Sequence, residues 1–559
     1  MEENTKSSSS LKCILLPSLD NQGINSKNEI STCCDVKHYR IRRVKSKGAI
    51  LVLVVSSLMT NTIYFFATVG VHTTKYQVCL IPFSVTTALA GWLTDAFIGR
   101  YKMIRFSVWI TWFLITAVTV GDVVGQLNET YCHYNEIVRP ILFWLVSIGL
   151  GGFQANIVQF GLDQLPDAST TEITSFIVWY VSSLISAGFI INFNFYCLNE
   201  IYVLLLICAC LTLALTLLIC CNHWLIKEPA TQSPLKLIYK VIKFAAVTKH
   251  TQCRSAFTYC EDELPSRIDF GKSKYGGPFT TEQVEDVKTF LRLIPLIFIF
   301  AVIGDVFFAA NVLYDNLEKV NNRFRINHNH ELHSRKVIAE CYAETGLTNS
   351  VHLGVTLLIV LNEFVLYPTF QCCIYCSRIK SLWKIITGIA LQTLRVTSLM
   401  VLDAISQHNN LKDNKHNVSI QCTLSETHDL LSQTLSYQWL AIPECLHFTS
   451  LVFLFTGVIE FICSQVPYSM KGIVIGAQYT LGLVCSIPLI IVTFLMVKYD
   501  ISIKGNRIIG CDFWYLLICL AANLFNFFIL TWMAKRYKLR KREDLLPNEH
   551  FFAERYYSQ

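Results

Sequence analysis

One stretch in the first third of the chain combines small residues and amides within an apolar run. The run begins near Ile141, and positions 149–165 read GLGGFQANIVQFGLDQL. Glycines on a helix in lipid let a neighbouring backbone come close. Amides at that depth need partners inside the protein, because lipid offers none. Two interpretations stay open, a tightly packed span or a helix that lines a polar cavity. The residues concerned are Gly149, Gly151, Gly152, Gln154 and Asn156.

The composition predicts an integral membrane protein. Of 559 residues, 53% are hydrophobic and only 16% are charged, whereas soluble domains average about 25% charged residues. Apolar runs of about 20 residues each match the thickness of a bilayer core. The net charge of +7 does not indicate nucleic-acid binding, because the basic residues border the apolar runs. Residues 1–47 are polar and end in a basic cluster, so no cleavable signal peptide is expected.

The predicted fold class is all-α, with twelve transmembrane helices in two six-helix halves. This organisation, with a long loop after the sixth span, is typical of the major facilitator architecture and of a binding site at the midplane. The predicted spans are 49–71, 76–98, 103–125, 141–160, 173–192, 201–221, 290–312, 351–373, 385–404, 440–463, 472–497 and 513–533. The predicted domains are an N-terminal tail (1–48), a first half (49–221), a central loop (222–287), a second half (288–533) and a basic C-terminal tail (534–559).

The distribution of lysine and arginine predicts the orientation. With twelve spans, both tails and the central loop lie on the basic side, which is therefore cytoplasmic. The glycosylation sequons at Asn128 and Asn417 fall on the opposite side, where glycosylation occurs. Three cysteines on that side, Cys132, Cys341 and Cys422, permit disulfides, but the sequence does not say which of them pair.

A first charged motif, GWLTDAFIGRYK at 91–102, ends the second span. It brings a carboxylate and two cations to the cytoplasmic rim, namely Asp95, Arg100 and Lys102. Such groups can form a breakable bridge to a neighbouring helix and so act as a gate between conformations. The alternative is that the cations only anchor the helix at the membrane surface.

A second motif closes the tenth span. It reads TGVIEF at 456–461 and continues as SQVPYSMK at 464–471. Glu460 lies near the cytoplasmic end of this span, where a gating or anchoring role is favoured over substrate binding. A third segment, VEDVKTFLRLIP at 284–295, opens the seventh span and follows KYGGPF at 274–279. Its acids could simply favour the helix dipole.

These motifs resemble the proton-dependent oligopeptide transporter family, in particular its peptide/histidine branch, of the solute carrier family 15 type. The stretch 149–165 matches the family's fourth-helix signature without gaps, and Asp163 and Gln164 fall on fixed positions. The motif at 91–102 resembles the superfamily pattern G-x-x-x-D-x-x-G-R. The resemblance implies a major facilitator fold and transport of small peptides or amino acids.

The chain departs from the family pattern at the ionisable positions. Where the family's first helix carries E-x-x-E-R, the sequence at 57–61 reads SLMTN. The fourth-helix lysine is replaced by Gln154 and the tenth-helix glutamate by Ser450. In the fifth helix Tyr180 is kept, but the asparagine appears as Ile185. Neutral side chains of this kind do not titrate, and their hydrogen bonds are about half as strong as charge-assisted ones.

From this resemblance the candidate substrate-binding residues are Asn61, Tyr64, Gln154, Asn156, Tyr180, Asp305 and Ser450, and the candidate gating residues are Asp95, Arg100, Lys102 and Glu460. Charges inside spans are functional-site candidates. Asp305 lies at the expected depth of the cavity. For Arg395, pairing with a buried side chain and binding of a substrate are equally favoured. Glu363 and Asp403 stay open. His447 could titrate near neutral pH, but a hydrogen-bonded structural role is favoured.

Metal, cofactor and enzyme functions are not expected. Cys373 and Cys376 form a lone C-x-x-C, although a closed zinc site needs four ligands. A second candidate cluster, His328, His330 and His333, has loose spacing. No nucleophile–base pair and no nucleotide-binding loop is evident in the sequence, so the chain is predicted to be neither an enzyme nor a cofactor protein.

The predicted function is alternating-access transport of small peptides or amino acids such as histidine, with proton coupling in question. The alternative is a scaffold or sensor derived from a transporter, which recruits cytosolic adaptor proteins through its tails. The expected partners are the lipid bilayer and the substrate. Whether protons are a third partner is left open by the sequence. The sequence leaves open whether the chain resides in the plasma membrane or in the endolysosomal membrane.

Overall fold

The computed structural model describes most of the apolar segments. The described residues are 44–72, 80–127, 137–166, 168, 170–197, 200–228, 233–247, 266–320, 351, 354–359, 381–413, 439, 441–482, 484 and 511–537; within helices, some side chains lie outside the description. Apart from one isolated bridge between Lys272 and Phe279, the described residues form helices, turns and loops.

The described part of the first half is built from seven helical segments. They are α1 (Lys47–His72), α2 (Leu80–Leu93), α3 (Arg100–Leu127), α4 (Arg139–Gln154), α5 (Ile157–Asp163), α6 (Thr170–Cys197) and α7 (Glu200–Cys220). A π-helical turn, Thr94–Ile98, extends α2, and Gly99 then takes a positive φ of 83°. Because only glycine adopts this conformation at low cost, Gly99 lets the chain reverse directly into α3.

The described residues of the central loop and the second half include six longer helices, besides the short helical stretch at 354–359. They are α8 (Pro234–Val247), α9 (Thr281–Val320), α10 (Ser381–Asp413) and α11 (Ala441–Gln465), followed by α12 (471–482) and α13 (Cys511–Arg536). Helix α8 belongs to the central loop. A 3-10 turn, Tyr468–Met470, separates α11 from α12. Pro295 lies inside α9.

Within the described residues, seven helices are long and apolar enough to cross a membrane. Shorter apolar stretches belong to α1 and α6. The predicted fourth span is interrupted, because α4 ends at Gln154 and α5 begins at Ile157. Only 351 and 354–359 of the predicted eighth span are described, and 483 and 485–497 of the eleventh are not.

Two hydrophobic clusters form the interior. The larger one comes mainly from α1 and from α3 to α7, and the second from α8 to α13. Large apolar side chains such as Trp109, Phe113 and Phe528 are exposed on the outer surface of the helices. Since a soluble protein rarely shows so much exposed apolar area, this surface suits contact with lipid. The clusters agree with two helical halves, whose predicted boundaries remain a prediction.

Candidate functional site

The glycines of α4 hold this helix against two neighbours in the first half. A methyl group on Gly149 or Gly152 would collide with Thr111 or Ser107 of α3, and one on Gly151 would collide with α2. Small residues thus permit backbone-level packing on both sides. For the glycines of α4, these contacts favour the interpretation as a tightly packed span.

Gln154, at the end of α4, makes two hydrogen bonds, one within the first half and one that joins it to the second half. Its Nε2 donates to the hydroxyl of Tyr180 on α6 at 3.1 Å and to that of Tyr479 on α12 at 2.7 Å. Gln154 and Tyr180 are buried. The amide that replaces the expected lysine therefore lies in a cluster of neutral polar groups between the halves, which fits the cavity interpretation at this position.

Asn156 lies in the interruption between α4 and α5. It is fully buried, and its Nδ2 donates to the carbonyl O of Gly152 at 2.8 Å. Its Oδ1 has no hydrogen-bond partner among the described residues. The side chain stabilises the broken helix from within, and its free acceptor points to a polar contact that this state does not complete.

The candidate positions on α1 show a similar pattern. Asn61 is buried, and its Nδ2 donates to the carbonyl O of Ser57 at 3.0 Å. The Oδ1 of Asn61 and the hydroxyls of Ser56 and Thr62 are buried without a partner in the described part of the chain. The side chain of Tyr64 lies outside the description.

Two candidate substrate-binding residues, Asp305 and Ser450, lie in the second half. Asp305 belongs to α9, but its side chain lies outside the described residues. Ser450 is fully buried, and its hydroxyl donates to the carbonyl O of Gly388 on α10 at 2.8 Å. Ser450 therefore ties α11 to α10 in this state, and its role in substrate binding stays a prediction.

Asp95 connects the first half to the start of α12. Its Oδ2 accepts the backbone N–H of Ile473 at 3.1 Å, so the carboxylate lies at the positive end of the α12 dipole. Arg100 pairs with Asp95 at 3.5 Å and with Asp163 of α5 at 2.6 Å. All three side chains are at most 9% exposed, so removal of one charge would leave another buried without its full complement.

Close packing of α2 on α12 continues this contact. A methyl group on Gly91 would overlap the carbonyl O of Gly472, and one on Gly476 would lie 2.6 Å from the carbonyl O of Thr87. Further along, Thr480 Oγ1 donates to the carbonyl O of Ser84 at 2.7 Å, and the rings of Phe83 and Tyr479 meet edge to face. The two helices, one from each half, therefore exclude solvent along this seam.

The remaining gating candidates do not join the halves through any contact in the described part of the chain. Lys102 is exposed on α3. Glu460 accepts from Lys384 Nζ at 2.7 and 2.8 Å, a pair that links α11 to α10 within the second half. The gating role of Glu460 stays a prediction, and this contact favours its alternative as an anchor of α11.

Arg395 pairs with a buried acidic side chain, which is one of the two roles predicted for it; the other was substrate binding. Its Nη2 lies 4.0 Å from Glu444 Oε1, and the two side chains are 1% and 7% exposed. His447 follows Glu444 by one turn on α11 and is also buried. Gln392 precedes Arg395 by one turn, and neither end of its amide has a partner among the described residues.

Sequence reasoning missed three members of these contacts as site residues. Tyr479 is an isolated polar residue in an apolar span, so nothing local distinguishes it. Glu444 lies near the outer end of the predicted tenth span, where an acid is ordinary. Asp163 could have been found, because it occupies a fixed position of the fourth-helix signature, on the same predicted side of the membrane as the motif that contains Arg100.

Several predicted features fall outside the described residues. They are the sequons at Asn128 and Asn417, the cysteines Cys132, Cys341 and Cys422, the C-x-x-C pair, the three histidines at 328–333, and Glu363. Among the residues that are described, no group of three or more His, Cys, Asp or Glu side chains could hold a metal ion.

The fold and these contacts define a multi-pass α-helical membrane protein in which two halves meet at a few polar side chains, at a glycine seam and where α6 packs against α11. The chain belongs to the POT family, whose family model matches residues 137–504.

Two relatives illustrate the range of the family. Solute carrier family 15 member 5 from Homo sapiens is 24% identical over 238 residues, which cover 40% of this chain and 40% of that protein. Protein NRT1/PTR FAMILY 6.4 from Arabidopsis thaliana is 22% identical over 505 residues, and the alignment covers 80% of both chains. The chain thus spans less than half of the human relative in that alignment and most of the plant one.

Solved structures give the fold. The crystal structure of an auto inhibited POT family peptide transporter superposes with a TM-score of 0.55 at 14% identity and covers 90% of this chain and all of that chain. The in meso crystal structure of the POT family transporter PepTSo gives 0.54 at 14% identity, with 88% and 99% covered. The predicted fold class, the twelve-helix transporter fold of this family, is confirmed, and the chain is a transporter-family protein rather than an enzyme.

Proposed function

We propose that this protein transports small peptides, or amino acids such as histidine, across a membrane by alternating access. The observation that carries the proposal is the Gln154 cluster, in which one amide from the first half binds Tyr479 of the second half. A polar group in lipid must be satisfied inside the protein, so these residues mark the plane on which the halves can exchange partners for a substrate.

The hydrogen-bond directions at this cluster suit a carboxylate. Gln154 donates its two side-chain N–H groups to Tyr180 and Tyr479, whose hydroxyl oxygens act as acceptors. Each phenol therefore keeps an O–H to donate, and a carboxylate can accept from both. We propose that the carboxyl terminus of a peptide, or the α-carboxylate of an amino acid, binds here. The Oδ1 atoms of Asn61 and Asn156, which have no partner among the described residues, provide acceptors for an ammonium group.

The seam between α2 and α12 acts as the closed barrier in this proposal. Asp95 holds the first turn of α12 from the opposite half, and the glycines permit close contact of the backbones. Opening requires Asp95 to release the α12 backbone, while Arg100 keeps Asp163 as its second partner. Asp95 and Arg100 are thus proposed as gating residues, with Lys102 at the rim.

Proton coupling in this chain would need a different group from the family's first-helix acids and fourth-helix lysine, since those positions are neutral here. Asp305 on α9 is the proposed substitute. If Asp305 couples transport to protons, uptake rises with an inward pH gradient in the wild type, and this dependence disappears in Asp305→Asn. Uptake that does not depend on the pH gradient in either the wild type or Asp305→Asn would indicate facilitated transport.

Uptake into proteoliposomes tests the proposal. The purified full chain is reconstituted, and labelled dipeptides and histidine are supplied over a concentration series, with empty liposomes as the control. Saturable uptake supports transport. Absence of uptake over the whole panel, from protein that remains folded, would favour the second candidate, a non-transporting scaffold or sensor that binds adaptors through its tails. The neutral cavity positions are the observation that favours this second candidate.

The proposed orientation places both tails and the central loop in the cytosol, with Asn128 and Asn417 glycosylated on the other side. Removal of N-glycans should lower the apparent mass of the wild type but not of a variant in which both asparagines are replaced by glutamine. The same sample, separated on a density gradient, would distinguish the plasma membrane from endolysosomal membranes.

A further inference from the structure

Helix α8 of the central loop carries three distinct faces. One turn takes 3.6 residues, so residues spaced by three and four share a face. Ile238 and Val241 lie on a buried face. The next face is exposed and apolar, with Leu235 at 44%, Tyr239 at 63% and Ile242 at 41% exposure. Beside it runs a stripe of exposed lysines, Lys236, Lys240 and Lys243.

The buried face joins α8 to the beginning of α9. Ile238 and Val241 belong to the same hydrophobic cluster as Val287 and Leu293 of α9. Phe244 meets Phe279 edge to face, with ring centroids 5.9 Å apart. The helix is therefore docked on the second half by one side only, and its orientation relative to α9 is set by this packing.

An ion network fixes the turn on which α8 rests. Asp269 pairs with Lys272 at 2.6 Å and with Lys288 of α9 at 2.9 Å, and Lys272 also pairs with Glu285. The turn lies against both α8 and α9. Whatever occupies the outer faces of α8 is consequently coupled to the cytoplasmic start of α9.

The two outer faces are those of a helix that lies in a membrane surface. An apolar face of about three residues next to a row of lysines is typical of interfacial amphipathic helices, in which the apolar side enters the headgroup boundary. Lysines near an anionic leaflet add attraction for its headgroups. Tyrosine is favoured at this depth because its ring is apolar and its hydroxyl is polar. The charge of the stripe argues for an acidic lipid surface rather than a second copy of the same basic helix.

We propose that α8 is an interfacial helix that binds the anionic cytoplasmic leaflet beside the transporter, with Leu235, Tyr239 and Ile242 in the lipid and the three lysines on the headgroups. Through its buried face and the Asp269 network, α8 holds the start of α9 against the membrane. The second half is thereby sensitive to the acidic lipid content of the bilayer.

Photocrosslinking in the full chain tests the apolar face. A benzophenone amino acid is placed at position 239, and the protein is reconstituted in nanodiscs of phosphatidylcholine with phosphatidylserine. We expect lipid adducts by mass spectrometry. The matched control carries the same group at position 244, on the side that faces Phe279, and should form adducts within the chain. Absence of lipid adducts at position 239, or adducts to a second copy, would overturn the proposal.

Hydrogen exchange of 234–247 tests the lysine stripe. Phosphatidylserine should slow exchange of this segment relative to phosphatidylcholine alone, and replacement of Lys236, Lys240 and Lys243 by glutamine should remove this effect. The expected loss of lipid binding is on the order of fivefold for each lysine. Replacement of the three lysines by arginine keeps the charge and should keep the effect. Equal exchange in both lipids for the wild type would contradict the proposal.

Discussion

Gln154 shows how a neutral side chain can occupy a position where the family resemblance implies a lysine. A lysine ammonium would donate to the two tyrosine oxygens and carry a charge in the membrane, which is costly without a partner. Gln154 makes the same two donations without a charge. The amide gives up the strength of charge-assisted bonds, which favours modest affinity for the proposed zwitterionic substrates.

Replacement of Tyr479 by phenylalanine should weaken substrate binding. It removes one acceptor of Gln154 and one O–H donor of the proposed carboxylate site. A net hydrogen bond contributes about 0.5–1.5 kcal/mol, so we expect the KM for dipeptide uptake to rise roughly 2- to 10-fold. Tyr202→Phe, on the exposed side of α7, is the matched control. Equal KM values in the two variants would contradict the assignment of Tyr479.

Replacement of Asp95 by asparagine should loosen the start of α12. The asparagine can still accept the Ile473 N–H but loses its charge at the helix N-terminus, an interaction of about 1 kcal/mol. Hydrogen exchange of the amides in 472–476 should accelerate several-fold. Asp122→Asn, at a buried Asp–Arg pair within the first half, should leave this segment unchanged. An unaltered exchange rate in Asp95→Asn would show that the contact does not hold the seam.

The sequence predicts those members of the described contacts that belong to local motifs and misses those defined by distant partners. Asp95 and Arg100 stand five residues apart, and Gln154 lies within a long gapless signature, so each could be predicted from spacing. Tyr479 contributes through contacts with residues more than 300 positions away, for which a single sequence contains no signal. Ser450 could be predicted only from the resemblance to the family's tenth helix. Its hydrogen bond to Gly388 depends on how α10 and α11 cross.

At the level of elements, the seam of α2 and α12 requires glycine at the points of closest approach. A larger residue would separate the two helices unless their backbones shift. Gly354 lies in the second half, and a methyl group added there would meet no atom of the described residues within 4 Å. It is therefore a suitable comparison site.

Replacement of Gly91 by leucine should block closure of the seam. Uptake should fall roughly fivefold or more, because overpacking of a tight contact costs about 1–3 kcal/mol, while Gly354→Leu should transport at the wild-type rate. Both variants are compared at equal amounts of reconstituted, folded protein. Wild-type uptake by Gly91→Leu would exclude close α2–α12 contact from the transport cycle.

The turn that supports α8 should depend on the charge of Asp269. Burial raises the pKa of this carboxyl, but hydrogen bonds from Lys272, Ser266 and Lys288 outweigh burial and lower it below the ordinary value of 3.8. The stabilisation is thus complete above about pH 4 and is lost as the pH falls towards the lowered pKa. We expect Asp269→Asn to increase hydrogen exchange of 266–280 at pH 7, and the difference from wild type to shrink below pH 4. A constant difference across this range would contradict the ionic origin.

Helix positions could be predicted well from the sequence because lipid imposes long apolar runs. Some helices exceed the predicted spans by a few residues, as in α3, which begins at Arg100 rather than 103 and ends at Leu127 rather than 125. Others differ more, as in α9, which covers Thr281–Val320 where the predicted span is 290–312. The interruption at Ala155–Asn156 and the π-turn Thr94–Ile98 were not predicted. Both lie beside contacts with other helices, those of Gln154 with α6 and α12 and that of Asp95 with α12, which a local sequence pattern does not contain.

In the molecule as a whole, α6 packs against α11 and α1 against α9 across the two halves, and apolar residues of α11 such as Phe448 join the first hydrophobic cluster. The other described contacts between the halves are few and breakable. They comprise a carboxylate at a helix terminus, an amide between two phenols and a glycine seam, whereas Lys384–Glu460 and Arg395–Glu444 lie within the second half. This division suits two rigid bundles that rock about a central site, since ion pairs inside a half need not break during the cycle.

Counterflow in proteoliposomes is the decisive measurement of alternating access by this chain. Liposomes that contain the full chain are loaded with unlabelled dipeptide and diluted into a trace of labelled dipeptide, without any ion gradient. Alternating access predicts transient accumulation of label that saturates with substrate, persists in Gly354→Leu and is absent in Gly91→Leu. Failure of folded wild-type protein to accumulate label for dipeptides and histidine would contradict transport by this mechanism.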